Sequence, residues 1–124
     1  MHILIIGSAL REICGDQSAF GLTFLEEVST APRYRLYAID DRFAALLEVA
    51  EGGVSVQGEL AELPDELLEE ILASEPPGVT QGPAELTDGR VVSCAFGDPA
   101  VLAEKARDIT AWGGFAAYWR AQQA

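Results

Sequence analysis

Histidine is nearly absent from this chain. Among 124 residues there is one, His2, beside two cysteines and one methionine. A protein-only zinc centre needs three or four ligands at close spacing, and Cys14 and Cys94 stand far apart with no metal-ligand pattern around them, so no metal site is expected. The same scarcity speaks against a Cys/His nucleophile pair, because His2 would have to leave the apolar strand it opens. Both thiols read as small buried hydrophobes, free rather than bridged. Basic residues are scarce too: eight Lys and Arg face twenty Asp and Glu, a formal net charge of -12. Phosphate backbones and anionic lipid surfaces would be repelled, which excludes nucleic acid and membrane as partners. No apolar run reaches the length of a bilayer span, and the start, Met1-His2-Ile3-Leu4-Ile5-Ile6-Gly7, lacks a basic n-region. A cytoplasmic protein is therefore expected. Nor is there a dinucleotide fingerprint: after Gly7 the next glycines are Gly15 and Gly21, so G-x-G-x-x-G is missing and no cofactor is expected.

What is present fits one domain over residues 1–124, long enough to bury a core without staples. Residues 2–6 form a continuous apolar, β-branched run, a central strand stopped by Gly7. Residues 17–28 place Phe20, Leu22, Phe24, Leu25 and Val28 at mixed helical spacing behind Asp16, a candidate N-cap. Residues 33–39 alternate, with Tyr34, Leu36 and Ala38 on one face. Residues 43–49 are apolar but too short to assign. Residues 53–63 alternate again, with Gly58 as a bulge candidate. Pro64 sits at the first turn of a helix over 65–73, and Ser74-Glu75-Pro76-Pro77-Gly78 is a rigid loop.

Residues 79–86 and 91–96 flank Thr87-Asp88-Gly89-Arg90, a strong hairpin signal. Residues 98–107 predict a helix, and Asp108 or Thr110 caps a last one carrying Trp112, Phe115, Tyr118 and Trp119. Trp112, Phe115 and Trp119 fall on overlapping helical faces, an aromatic stripe expected in the core, with Gly113 and Gly114 allowing close packing. Strands and helices do not alternate regularly, so the class is α+β with a mixed, largely antiparallel sheet.

Several segments, taken in order, carry a resemblance. Thr30-Ala31-Pro32-Arg33-Tyr34-Arg35-Leu36-Tyr37, then Val56-Gln57-Gly58-Glu59-Leu60, then Glu85-Leu86-Thr87-Asp88-Gly89-Arg90, and finally Asp108-Ile109-Thr110-Ala111-Trp112-Gly113-Gly114-Phe115 with Tyr118 resemble the C-terminal domain of allophanate hydrolase. That family has a gamma-glutamyl-cyclotransferase-like fold. The resemblance implies a six-stranded barrel-like sheet flanked by helices, with a cavity at the end of the first strand. In gamma-glutamyl cyclotransferases a Tyr-Gly-Ser-Leu loop there grips an anionic substrate through backbone groups; here the loop reads Ile6-Gly7-Ser8-Ala9-Leu10.

The resemblance thus implies substrate-binding roles for Gly7, Ser8, Ala9 and Leu10, with the neighbouring Arg11 as the candidate cation. Glu75 falls where those enzymes carry a general-acid/base glutamate, although on its own it also reads as a solvated loop carboxylate. Within allophanate hydrolase the corresponding domain is associated with the second step, loss of carbon dioxide from N-carboxycarbamate. The family's early loop carries a histidine where this chain has Ala9, a departure that weighs against decarboxylation. Two readings stay open. One is a small-anion-binding domain with a catalytic Glu75 acting on a carboxylate-bearing ligand in urea and nitrogen metabolism. The other is a non-catalytic module that partners an amidase-family protein.

Overall fold

The structure, a computed structural model, describes residues 1–123. Eight strands form one mixed sheet: β1 His2–Ile5, β2 Thr23–Ser29, β3 Tyr34–Ile39, β4 Phe43–Glu48, β5 Gln57–Glu62, β6 Val79–Glu85, β7 Val91–Gly97 and β8 Ala106–Asp108. Four helices accompany them, α1 Arg11–Cys14, α2 Leu68–Ser74, α3 Pro99–Lys105 and α4 Phe115–Gln123. The class is α+β, as expected. The sheet has eight strands rather than six, in the order β2-β5-β1-β7-β4-β3-β8 with β6 also against β7, and that path does not close into a barrel.

The apolar, β-branched β1 lies mid-sheet because Ile3, Leu4 and Ile5 are all buried, which requires cover on both faces. It runs antiparallel to β5, with Leu4 opposite Leu60, and parallel to β7, with Ile3 opposite Ser93. β7 is also parallel to β4 further along, with Leu46 opposite Phe96, so β1 and β4 share one edge of β7 and fork from it. Gly7 stands in the fork. A Cβ there would lie 3.2 Å from both Cβ and N of Ala44, so glycine lets the end of β1 pass close to β4.

The hairpin of β6 and β7 has unbroken register from Val79 opposite Gly97 to Glu85 opposite Val91, as the Asp-Gly turn predicts. β3 and β4 join through Asp40 and Asp41, both with φ near +55° (55° and 54°). Aspartate tolerates this left-handed pair better than most residues. The main core gathers β1, β3, β5, α4 and one face of β7. A smaller cluster of Ile39, Ala45, Val79, Ala95 and Leu102 fills the opposite face under α3.

The unassigned residues 43–49 hold β4, and two segments that differ from the sequence reading add β2 and β8. Residues 17–28 are a short 3-10 turn, Gln17–Phe20, followed by β2. Asp16 does cap that turn, accepting from the Ser18 amide at 2.9 Å. Beyond it the chain is extended because β5 supplies partners, Thr23 opposite Glu62 to Ser29 opposite Gln57. A register shift between Phe24 and Glu26 breaks the alternation that would have announced a strand. The bulge is therefore in β2 and not at Gly58. Gly58 instead allows close approach, since a Cβ would meet the carbonyl oxygen of Ile5 at 2.7 Å. Residues 106 and 107, read as the end of a helix, and Asp108, read as a cap of the next one, are β8 against β3.

The closing segment also departs from expectation. Thr110–Trp112 is a 3-10 turn ended by Gly113 at φ 77°, and α4 begins only at Phe115. Phe115 and Tyr118 are buried, but Trp112 is 48% exposed. The glycine pair breaks the helix that would have carried Trp112 inward.

Candidate functional site

The chain leaves β1 through a tight turn in which the Leu10 amide donates to the Gly7 carbonyl at 3.0 Å. The N–H groups of Gly7, Ser8 and Ala9 find no acceptor among the described residues. Three consecutive acceptor-free amides at a strand end are the elements of an anion cradle. Leu10 is buried and faces the core, while Gly7, Ser8 and Ala9 are partly exposed.

Behind the turn sits a carboxylate that no sequence motif singled out as functional. Glu59 is only 8% exposed. Its Oε1 accepts from the Arg11 amide and from Gln17 Nε2, both at 2.9 Å, and its Oε2 accepts from Arg11 Nε at 3.0 Å. Gln17 Nε2 also donates to the Ala9 carbonyl at 2.9 Å, and Cys14 Sγ to the same oxygen at 3.3 Å. Burial, with the charges of Glu59 and Asp16 adding to it, raises the Cys14 thiol above its ordinary range. Both acceptors lie on the Nε2 side of Gln17, which fixes the amide's orientation. Gln17 Oε1 is buried with no partner among the described residues.

Arg11 is occupied by this network. Its Nη2 also lies 3.6 Å from Glu27, and its guanidinium stacks 3.4 Å above the Phe24 ring. It presents no free fork to a ligand. The other early arginines are engaged as well, Arg33 with Glu85, Arg35 with Asp108, and Arg42 over the Phe43 ring.

Glu75 follows α2 and opens the Pro76-Pro77-Gly78 loop into β6. It is half-buried and its carboxyl makes no hydrogen bond to any described residue. Burial alone pushes its pKa above the usual carboxylate range. The Cys94 thiol, on the buried strand β7, is raised chiefly by its own burial and further by the charge of Glu75. Topology links this residue to the turn. β1 and β7 run parallel from Ile3 opposite Ser93, and β6 starts at Val79 opposite Gly97. The end of β1 and the start of β6 at Val79 therefore lie toward one end of the sheet, and Glu75 stands four residues before that start. Arg11 turns toward β5.

A cleft of about 660 Å³ opens elsewhere, between β2, β5, the hairpin tip and α4. Leu10 and Glu59 reach its wall, but Ser8 and Glu75 do not. Five carboxylates line it, Glu12, Glu26, Glu27, Glu59 and Asp88, and its arginines are spent on them, Arg90 on Glu26 and Asp88, Arg120 on Glu12. Such a wall disfavours anions, so the turn and Glu75 remain the candidate site for an anionic ligand. Among the described residues no group of three or more His, Cys, Asp or Glu is placed to hold a metal ion. No described helix is long and apolar enough to cross a membrane.

Comparison with known proteins identifies the fold and the family. A uropathogenic Escherichia coli-specific protein of known structure is 29% identical, with a TM-score of 0.84 over 94% of this chain and 93% of that one. Kluyveromyces lactis allophanate hydrolase superposes with a TM-score of 0.85 at 24% identity; the match takes in 98% of this chain but only 21% of that one. A mouse AIG2-like protein shares the fold more loosely, with a TM-score of 0.53 at 24% identity over 80% of this chain and 76% of that one. No curated protein matches in sequence. Residues 1–120 match the allophanate hydrolase C-terminal domain, and the chain belongs to that family.

Proposed function

We propose that this domain binds a small carboxylate-bearing ligand on the amides of Gly7, Ser8 and Ala9, and that Glu75 moves a proton to it. The observation that carries the reading is that acceptor-free amides and a carboxyl whose pKa burial raises both lie toward one end of the sheet. A protonated carboxyl near a bound anion is what general-acid chemistry needs. The reaction that fits the family is the second step of allophanate breakdown. There the Glu75 proton goes to the nitrogen of N-carboxycarbamate as the C–N bond breaks. The bonding pair stays on nitrogen, one carboxylate leaves as carbon dioxide, and carbamate and ionised Glu75 remain.

A second reading has its own support. Ala9 stands where the family carries a histidine, and His2, the chain's single histidine, lies back on β1. In Kluyveromyces lactis allophanate hydrolase the same fold is one part of a much longer chain. A non-catalytic module that docks on an amidase-family protein fits both facts. The test is carbon dioxide release from allophanate supplied with an amidase that produces N-carboxycarbamate, with and without this chain. The catalytic reading expects an acceleration that Glu75→Gln abolishes while anion binding survives. No acceleration, together with co-purification of an amidase, would establish the docking module instead.

A further inference from the structure

The buried carboxylate behind the turn has no part in the reaction just described, yet its hydrogen bonds come from Arg11, the first residue after the turn, and from Gln17, which also holds the Ala9 carbonyl. We propose that Glu59 is a positioning residue, which with Gln17 locks the 7–10 turn so that its amides face outward toward an anion. The inference rests on the reading of that turn as the ligand site. A tight turn can present its amides or its carbonyls to one side, and something must hold it in the first arrangement. Here the Ala9 carbonyl is drawn inward by Gln17 Nε2 at 2.9 Å and by Cys14 Sγ at 3.3 Å. Gln17 is held in that pose by Glu59, 2.9 Å from the same nitrogen.

Glu59 also takes the first amide after the turn, that of Arg11, and closes the Arg11 side chain down onto Phe24. The guanidinium is thereby kept off the ligand, so recognition falls to the backbone. Gln17 Oε1 has no partner among the described residues, so the amide is held from its Nε2 side alone.

The experiment follows amide resonances of the 15N-labelled full chain during titration with malonate, a stable dicarboxylate probe. In the wild type, Ser8 and Ala9 resonances should shift on titration, and so should the Gln17 side-chain NH2 pair, which touches no ligand. Glu59→Gln keeps the side-chain size but turns one donor toward the donors it must accept from. Its malonate dissociation constant should rise by about tenfold or more, one charge-assisted hydrogen bond's worth. Gln17→Met releases the Ala9 carbonyl and also removes the stranded oxygen. It should weaken malonate binding to a similar degree while leaving the melting temperature nearly unchanged, a split that a purely structural role would not produce. If the wild type shifts at Ser8 and Ala9 but both variants bind equally well, or Gln17 stays silent, the positioning role is wrong and the site stands. If the wild type shows no shift at Ser8 and Ala9, the site itself falls and this inference falls with it.

Discussion

Replacing Phe115 and Trp112 with alanine, one at a time, separates two readings of the closing segment. Phe115 is 1% exposed and packs within the main core, its ring 5.9 Å from that of Tyr118. Truncation there removes buried ring atoms and leaves a cavity, a loss of about 3–5 kcal/mol. Trp112 is 48% exposed and leans edge-on against Tyr118 at 6.3 Å. Roughly half of an indole's ~200 Å² is then covered, so at ~25 cal/mol per Å² the ceiling is about 2.5 kcal/mol. A surface site leaves no sealed cavity and the unfolded chain covers part of that area already, which brings the expectation to about 1–2 kcal/mol.

The assay is urea unfolding followed by far-UV circular dichroism, with m-values checked for constancy. Phe115→Ala should lose about 2 kcal/mol more than Trp112→Ala. Trp119 is only partly buried against the core, so acrylamide quenching of the wild type should show one more and one less accessible indole, and Trp112→Ala should remove the more accessible one. Equal losses, or two protected indoles, would mean that Trp112 is buried and that the helix runs unbroken through Gly113.

Two further predictions follow from single groups. Burial raises the pKa of Glu75 above its unfolded value, so the neutral form's contribution is present at low pH and is lost as pH rises through the folded-state pKa. Glu75→Gln cannot ionise; it should be more stable than the wild type at about pH 8 and lose that advantage near pH 3. A thermal-melt difference that is the same at both pH values would show that Glu75 is not buried as described. Thr30 is fully buried, and its hydroxyl accepts from the Val56 amide at 2.9 Å while donating to the Ala31 carbonyl at 2.9 Å. Thr30→Val keeps the shape but strands that amide, so it should cost about 1–3 kcal/mol; an unchanged melting temperature would refute the bond.

Much of this architecture was legible residue by residue. The apolar run at β1, the alternation of Tyr34, Leu36 and Ala38, and the Asp-Gly hairpin are local signals, and the structure bears all three out. β2 was hidden because a strand held by a partner about 30 residues away, with a bulge at Leu25, has no local alternation to display. Trp112 was misplaced because helical spacing counts positions, and the left-handed Gly113 interrupts the count. The candidate site divides in the same way. Its turn follows from where β1 must stop, but the commitment of Arg11 to Glu59 depends on a contact spanning 48 positions. A lone glutamate after a glycine in a strand gives no hint that it is buried.

The fork at β7 has a consequence for how the chain is made. β1 precedes the other seven strands in the chain, and one of its two edges is covered only by β7, whose Ser93 lies opposite Ile3. Until residue 97 has emerged, Ile3, Leu4 and Ile5 can pair with β5 but keep an open, apolar edge on the other side. Contacts closed across so much sequence form slowly and leave aggregation-prone edges during synthesis. Folding of this domain is therefore a late event, triggered by its last quarter. A chain cut before β7 should be recovered as aggregate rather than as a smaller folded unit.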